Sequence, residues 1–326
     1  MLPYAECADA MRAALSAYSR GQVHQPLRTV IRPEGASGLM GLMPAYQPPP
    51  GGAAADQTWP GDIGFGVKTV CVFPGNPAAG LDAHQGVVML FSARTGEPRA
   101  VVNASAVTEI RTAAVSAVAT GLLARPGAAD LGIIGTGVQA RAHLLAIAAA
   151  RPLASVRVAG RDQGRSASFA EGMRGRTPVP VTACGSAQEA VDGAGIVVTV
   201  TSSAQPVLRR EWLAPGTHIN AVGSSVPQAR ELDTETMAGA ALFADSRESV
   251  TTESGDYLLA QADGAIGPGH IRAELGEVIN GTAPGRLLDD EITVFESLGL
   301  AAEDLAAATL ACSRASGLGA GTRLEF

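Results

Sequence analysis

The sequence predicts an α/β protein made of a doubly wound parallel sheet and a smaller α+β domain with a mixed sheet. Three observations carry that prediction. From Leu131 onward, short apolar runs alternate with helical segments, the pattern of a parallel sheet covered by helices. Between the first run and the helix after it lies Gly135-Thr-Gly-Val-Gln-Ala140, a tight glycine turn. Before residue 108, one N-terminal helix precedes alternating, strand-like segments separated by Gly and Pro.

Residues 5–20 place Met11, Leu15 and Tyr18 at helical spacing and stop at Gly21, which predicts a surface helix. Residues 27–32 alternate as a strand with Arg28 and Arg32 on one face, Arg32 being the better fit to a solvated edge charge. Residues 38–44 make a second strand. Repeated Pro and Gly from 44 to 66 predict a loop beside a site. Residues 67–73, which contain Lys68, then 87–91 and the segment from Gly96 continue the sheet. A helix from an N-cap at Thr108 to Leu123 is apolar around most of its circumference and is expected to be buried. Arg111 in its first turn would oppose the helix dipole and needs an anionic partner, either Glu109 or a bound carboxylate.

Strands are expected at 131–134, 155–159, 179–183, 196–201, 218–222 and 241–245. Helices are expected at 140–149, 186–192, 271–280 and 303–314, the last folding back on the N-terminal domain. In such a sheet ligands lie beyond the carboxyl ends of the strands. That rule brings Thr201, Gly223, Ser224 and Ser225 near a cofactor or substrate, although Ser and Gly are also ordinary turn residues.

The glycine turn has the G-x-G-x-x-A spacing of a Rossmann dinucleotide site. Gly135 would permit the turn, Gly137 would let the backbone approach a pyrophosphate, and Ala140 would let the helix pack on the strand. The helix N-terminus adds free N–H groups and partial positive charge. A ribose-binding carboxylate is expected about 20 residues later, where the chain reads Gly160-Arg-Asp-Gln-Gly-Arg165. Gly160 would leave room for a 2′-phosphate and Arg161 would pair with it, which favours NADPH over NADH. In the other reading Arg161 and Arg165 are solvated and Asp162 holds the ribose.

A net charge of −7 with no run of like charges argues against a nucleic-acid partner. The four cysteines are far apart, as in the reduced thiols of a cytoplasmic protein, and neither they nor the five histidines have metal-ligand spacing. No basic-then-apolar leader and no uninterrupted apolar stretch of the ~18 residues a membrane span needs are present. Lys68 is the only lysine, while arginine supplies all the other 23 of the 24 basic side chains. A compact ammonium can change its pKa on burial and donate a proton, which arginine cannot do, so Lys68 is a candidate for chemistry.

Several stretches resemble the ornithine cyclodeaminase/mu-crystallin family in order along the chain: Gln25-Pro-Leu-Arg-Thr-Val, Leu42-Met-Pro-Ala-Tyr, Val67-Lys-Thr-Val, Arg111-Thr-Ala-Ala-Val-Ser-Ala, the glycine turn, Pro215-Gly-Thr-His-Ile-Asn-Ala-Val-Gly, Arg230-Glu-Leu-Asp and Glu274-Leu-Gly-Glu-Val-Ile. The resemblance implies a homodimer. Residues 1–110 and 305–326 would form its substrate-binding and dimerisation domain, and residues 111–304 its Rossmann domain. It also implies that the carboxylate of an amino or imino acid is held by Arg28, Lys68 and Arg111. Gly135, Thr136, Gly137, Val138, Gln139, Arg161, Thr201, Val222 and Gly223 would bind the cofactor.

The family's cyclodeaminases carry an Asp where this chain has Ser225 and an acidic residue where it has Gly41. Without those carboxylates a buried second ammonium is costly, which favours the ketimine-reductase branch. The expected activity is NADPH-dependent reduction of a small 2-imino carboxylate, with Arg28 and Arg111 clamping the carboxylate. Lys68 would keep the imine protonated, and Ser225 would bond its nitrogen or relay a proton. Three alternatives stay open at this level: an open-chain imino acid reductase or alanine dehydrogenase-like amino-acid dehydrogenase, a cyclodeaminase using Glu253 or Asp256, and a non-catalytic binding protein. For Glu253 a surface turn is the simpler expectation.

Overall fold

A computed structural model describes residues 2–49 and 60–323. The chain divides into two compact units, Met1–Arg111 with Leu300–Phe326, and Thr112–Gly299.

In the first unit, helix α1 (Tyr4–Ser19) precedes strands β1 (Thr29–Ile31), β2 (Leu39–Tyr46), β3 (Ile63–Val72), β4 (His84–Ser92) and β5 (Pro98–Asn103), which form one sheet in chain order. Every pairing is antiparallel, which narrows the mixed sheet expected. The loop predicted for 44–66 is shorter than its Pro and Gly content implied, because β2 runs through Pro44 to Tyr46 and β3 begins at Ile63. Residues 50–59 of that prediction lie outside the described residues.

Period-two alternation on β3 buries Gly64, Gly66, Lys68 and Val70 and leaves Phe65 exposed, with Val67 and Thr69 half-buried. The buried face meets helix α10 (Ala301–Gly317), which also packs on α1. A Cβ on Gly66 would come 2.9 Å from Leu305 Cδ1, so this glycine lets α10 lie close on the strand.

Helix α2 spans Ala104–Leu123. It begins a turn before the predicted Thr108, because Asn103 at the end of β5 accepts the Ala106 N–H at 2.9 Å and serves as the cap. Arg111 therefore lies two turns into the helix. By length and composition alone α2 is apolar enough to cross a membrane, but it carries Glu109 and Arg111 and 67% of its most apolar window is buried within the protein.

The second unit is an eight-stranded sheet in the order β12-β11-β13-β10-β9-β6-β7-β8, parallel throughout. Its first half alternates β6 (Asp130–Ile134), α3 (Val138–Ala150), β7 (Ser155–Ala159), α4 (Gln163–Gly172), β8 (Val181–Ala183), α5 (Ala187–Val191) and β9 (Ile196–Thr199). Strand order reverses between β6 and β9, the crevice where ligands of such sheets bind.

The second half holds β10 (His218–Ala221), α6 (Thr234–Gly239), β11 (Ala241–Ala244), α7 (Arg247–Glu253), α8 (Gly255–Ala262), β12 (Ile271–Glu274), α9 (Leu275–Ile279) and β13 (Thr293–Glu296). The helix expected over 271–280 is thus a strand followed by a short helix. Ile271 and Ala273 alternate inward beside β11, and only from Leu275 does the chain turn helical. Strand β13 was not expected, because its four residues are too few to show a period. It is nonetheless fully buried between β10 and β11.

Candidate active site

Packing in the first unit brings a lysine, an arginine and two acids together in the dry layer between β3, α2 and α10. Lys68 is 3% exposed, and its Nζ lies 2.6 Å from Asp304 Oδ2. Arg111, 4% exposed, donates from Nη1 to Glu303 Oε2 at 2.8 Å and from Nε to Asp304 Oδ1 at 3.1 Å. These acids, far from Arg111 in sequence, are anionic partners that the sequence reading did not name.

Both acids lie in the first turn of α10, where the helix dipole favours negative charge. Glu303 Oε2 also accepts the Leu300 N–H at 3.3 Å, and Gln25 Oε1 accepts the Ala302 N–H at 2.8 Å. Gln25 thereby ties the segment that carries Arg28 to the start of α10.

Burial pushes the Lys68 ammonium down to about 8; Asp304 works against that fall, while Arg111 and Arg28 add to it. At the start of β4, His84 is held below its ordinary value by partial desolvation and by the charges of Lys68 and Arg111. On α1, burial drives the Cys7 thiol up to about 12, with Arg111 opposing and Glu303 reinforcing the shift. Cys7 and His84 are therefore neutral near pH 7.

In the second unit the glycine turn follows β6. Gly135 has φ +128°, and a Cβ there would come 2.6 Å from the Val200 carbonyl oxygen, so the position requires glycine. Gly137 is the N-cap of α3, and a Cβ on it would meet nothing within 4 Å. Thr136 and Gln139 are half-buried, Val138 is exposed and Ala140 fully buried. An open cradle of backbone N–H groups at a helix N-terminus fits a pyrophosphate.

Arg161 is exposed just past β7. Asp162 Oδ1 accepts the Arg165 N–H at 2.8 Å and so caps α4. Thr201, Val222 and Gly223 follow the carboxyl ends of β9 and β10. Ser225 is exposed on the loop after β10, whereas Ser224 is buried, its Oγ donating to the Ala229 carbonyl and accepting the Asp256 N–H.

Glu231, fully buried, underlies these loop ends. Its Oε1 accepts the Thr201 N–H at 2.5 Å and its Oε2 the Gly223 N–H at 2.8 Å. Asp256 Oδ1 in turn accepts the N–H groups of Glu231 and Leu232, each at 2.8 Å. Asp256 is thus committed to the backbone, and Glu253 ends α7 rather than sitting in a surface turn.

Three of these functional positions were missed from sequence. Glu231 lay inside the quoted Arg230-Glu-Leu-Asp stretch without a role. The only trace of Glu303 and Asp304 was a pair of acids opening an otherwise apolar helix.

Burial raises Asp256 to about 7, its backbone hydrogen bonds oppose the shift and the nearby Glu231 adds to it. Burial and the charge of Asp256 also raise Glu296 well above the usual range. Asp256 Oδ2 and Glu296 Oε1 have no hydrogen-bond partner among the described residues. With its pKa raised on folding, Asp256 contributes stability that is complete below about pH 4 and is lost as pH rises to about 7. Asp256→Asn keeps the Oδ1 acceptor and removes the titration, so its melting temperature should fall less than wild type's between pH 5 and pH 8. Parallel pH curves for the two proteins in thermal melts would show that Asp256 does not hold this proton.

The chain matches the model of the ornithine cyclodeaminase/mu-crystallin family over residues 2–318. The ketimine reductase mu-crystallin of Mus musculus is 42% identical over 303 residues, 92% of this chain and 89% of that protein. A Delta(1)-pyrroline-2-carboxylate reductase of Bacillus cereus is 40% identical over 263 residues, covering 80% of this chain and 81% of that protein. Among solved structures, Thermococcus litoralis Delta(1)-pyrroline-2-carboxylate reductase in complex with NADH and L-proline has a TM-score of 0.92 at 35% identity, over 99% of this chain and 97% of that one. With a family model and relatives spanning most of its length, the chain belongs to the ornithine cyclodeaminase/mu-crystallin family.

Proposed function

We propose that the protein is an NADPH-dependent reductase of a small 2-imino monocarboxylate, with a cyclic ketimine such as Δ1-pyrroline- or Δ1-piperideine-2-carboxylate as its substrate. The buried Lys68–Asp304–Arg111–Glu303 cluster carries this reading, because it sets an ammonium able to give up a proton beside a guanidinium suited to a carboxylate. The activities named for the relatives support the same class of reaction. A cyclodeaminase would need a carboxylate to receive a second ammonium near Ser225, and Asp256 is engaged with the Glu231 and Leu232 backbone instead. The dispersed cysteines, unpaired in the structure, agree with a cytoplasmic enzyme.

Arg28 and Arg111 would hold the substrate carboxylate and fix the orientation of the imine. When bound, the nicotinamide supplies the hydride that adds to the imine carbon and is itself oxidised. As the C=N π pair moves onto nitrogen, Lys68 would give that nitrogen a proton from Nζ; the neutral amine left behind is reprotonated by water. Ser225 would hydrogen-bond the same nitrogen. Loss of NADPH absorbance with each ketimine tests the activity directly. Lys68→Ala should lower turnover by about 100-fold or more with NADPH affinity nearly unchanged, and a parallel loss of both would place Lys68 outside the chemistry.

Gly135, Thr136, Gly137, Val138 and Gln139 would cradle the pyrophosphate, and Thr201, Val222 and Gly223 would line the nicotinamide end. Gly160 and Arg161 support NADPH, as does Asp162, whose Oδ1 is occupied in capping α4. Arg161→Ala should weaken NADPH at least tenfold while leaving NADH affinity close to wild type. Equal losses in a fluorescence titration would refute the 2′-phosphate assignment.

The sheet face turned away from α10 supports a homodimer. Two cross-strand apolar rows run over it, Tyr46–Phe65–Phe91 and Pro44–Val67–Met89–Val101. Phe65 remains 45% and Val101 52% exposed in the single chain, a contiguous patch that a second copy would cover. Val101→Arg should convert the dimer to monomer in sedimentation velocity; a monomeric wild-type protein would overturn the assignment.

A further inference from the structure

Asp304 stands between the two buried cations, one carboxylate oxygen 2.6 Å from Lys68 Nζ and the other 3.1 Å from Arg111 Nε. Glu303 holds the far end of Arg111 at 2.8 Å, so Arg111 is anchored by both acids and Asp304 is fixed from two sides. We infer that Asp304 is a positioning residue that keeps Lys68 in its ammonium form and holds it in place to protonate the substrate nitrogen. The inference rests on the proposed role of Lys68 as proton donor.

The physical reason is hydration. A buried ammonium that has lost its water releases its proton unless an anion replaces the lost solvation. Burial is the largest influence on Lys68, and Arg111 on α2 and Arg28 ahead of β1 push in the same direction. Around them, His84 on β4 and Cys7 on α1 are neutral, and Glu303 is turned to Arg111. Asp304 alone among these groups counters the fall at Lys68. An acid whose pKa lies near the working pH transfers its proton most effectively, and Asp304 keeps Lys68 in that range instead of far below it.

The single lysine makes the test direct. In protein labelled with [13Cε]lysine, one resonance reports Lys68 and is titrated by NMR without reference to activity. The wild-type signal should titrate near 8, Asp304→Asn should move its midpoint down by one pH unit or more, and Arg111→Gln should move it up. In the ketimine assay, the alkaline limb of kcat/KM should fall by the same interval in Asp304→Asn, with at least a tenfold loss at pH 8, much less at pH 6, and unchanged NADPH affinity. Asp304→Glu, which keeps the charge, should restore the limb. If Asp304→Asn does not fold, the wild-type, Arg111→Gln and Asp304→Glu titrations still decide. A wild-type midpoint at the ordinary ~10.4 of a free lysine, or a midpoint unmoved by Asp304→Asn, overturns the inference. If Lys68→Ala remains active, the proton-donor reading itself fails; if Lys68→Ala is inactive but the Asp304→Asn limb stays in place, only the role of Asp304 falls.

Discussion

Burial of one ammonium organises the first unit. Lys68 points from the centre of β3 into the layer beneath α10, where it is 3% exposed and stripped of most of its hydration. An uncompensated charge in such a place costs several kcal/mol. The compensation comes from the first turn of a helix at the other end of the chain. Gly66 lets α10 approach, Gln25 and Glu303 satisfy N–H groups at its start, and Asp304 then meets both Lys68 and Arg111. Buried ion pairs are weak contributors to stability compared with apolar packing. Four charges kept in that layer add little stability, which is consistent with the catalytic role proposed for them.

The second unit solves the same problem with the opposite sign, meeting buried carboxylates with backbone N–H groups. Glu231 and Asp256 sit under the loops at the ends of β9 and β10, and their oxygens are taken up by backbone N–H groups. No positive side chain among the described residues pairs with them, and burial raises Glu231, Asp256 and Glu296 above the ordinary carboxylate range. The arrangement fixes the backbone at Thr201 and Gly223 while leaving Ser225 open on the loop. A Cβ on Gly223 would come 2.5 Å from the Glu231 carboxylate, so the glycine and the acid require each other.

Much of this was legible in the residue order. The glycine turn after β6, the strands that alternate with helices and the antiparallel pairs ahead of α2 follow from periods of 3.6 and 2 and from turn chemistry. Lys68 was conspicuous because no other lysine accompanies it. Local signals failed where a longer-range partner decided the outcome. Asn103, a residue that also closes β5, caps α2 and shifts its start away from Thr108. Strand β13 has too few residues to show a period and is a strand because β10 and β11 flank it. Residues 271–274 are extended because Ile271 and Ala273 fit beside β11, although Glu274 onward reads as helix.

By itself the sequence determined the α/β class, the glycine turn after the first parallel strand and the cations the chain can offer a carboxylate, because each depends on residues within a few positions of one another. The tertiary structure alone decided which acids those cations meet, which carboxylates burial raises and how far α2 extends. Those outcomes depend on water being excluded around groups that lie far apart along the chain, and desolvation is a property of packing that no short stretch of sequence contains.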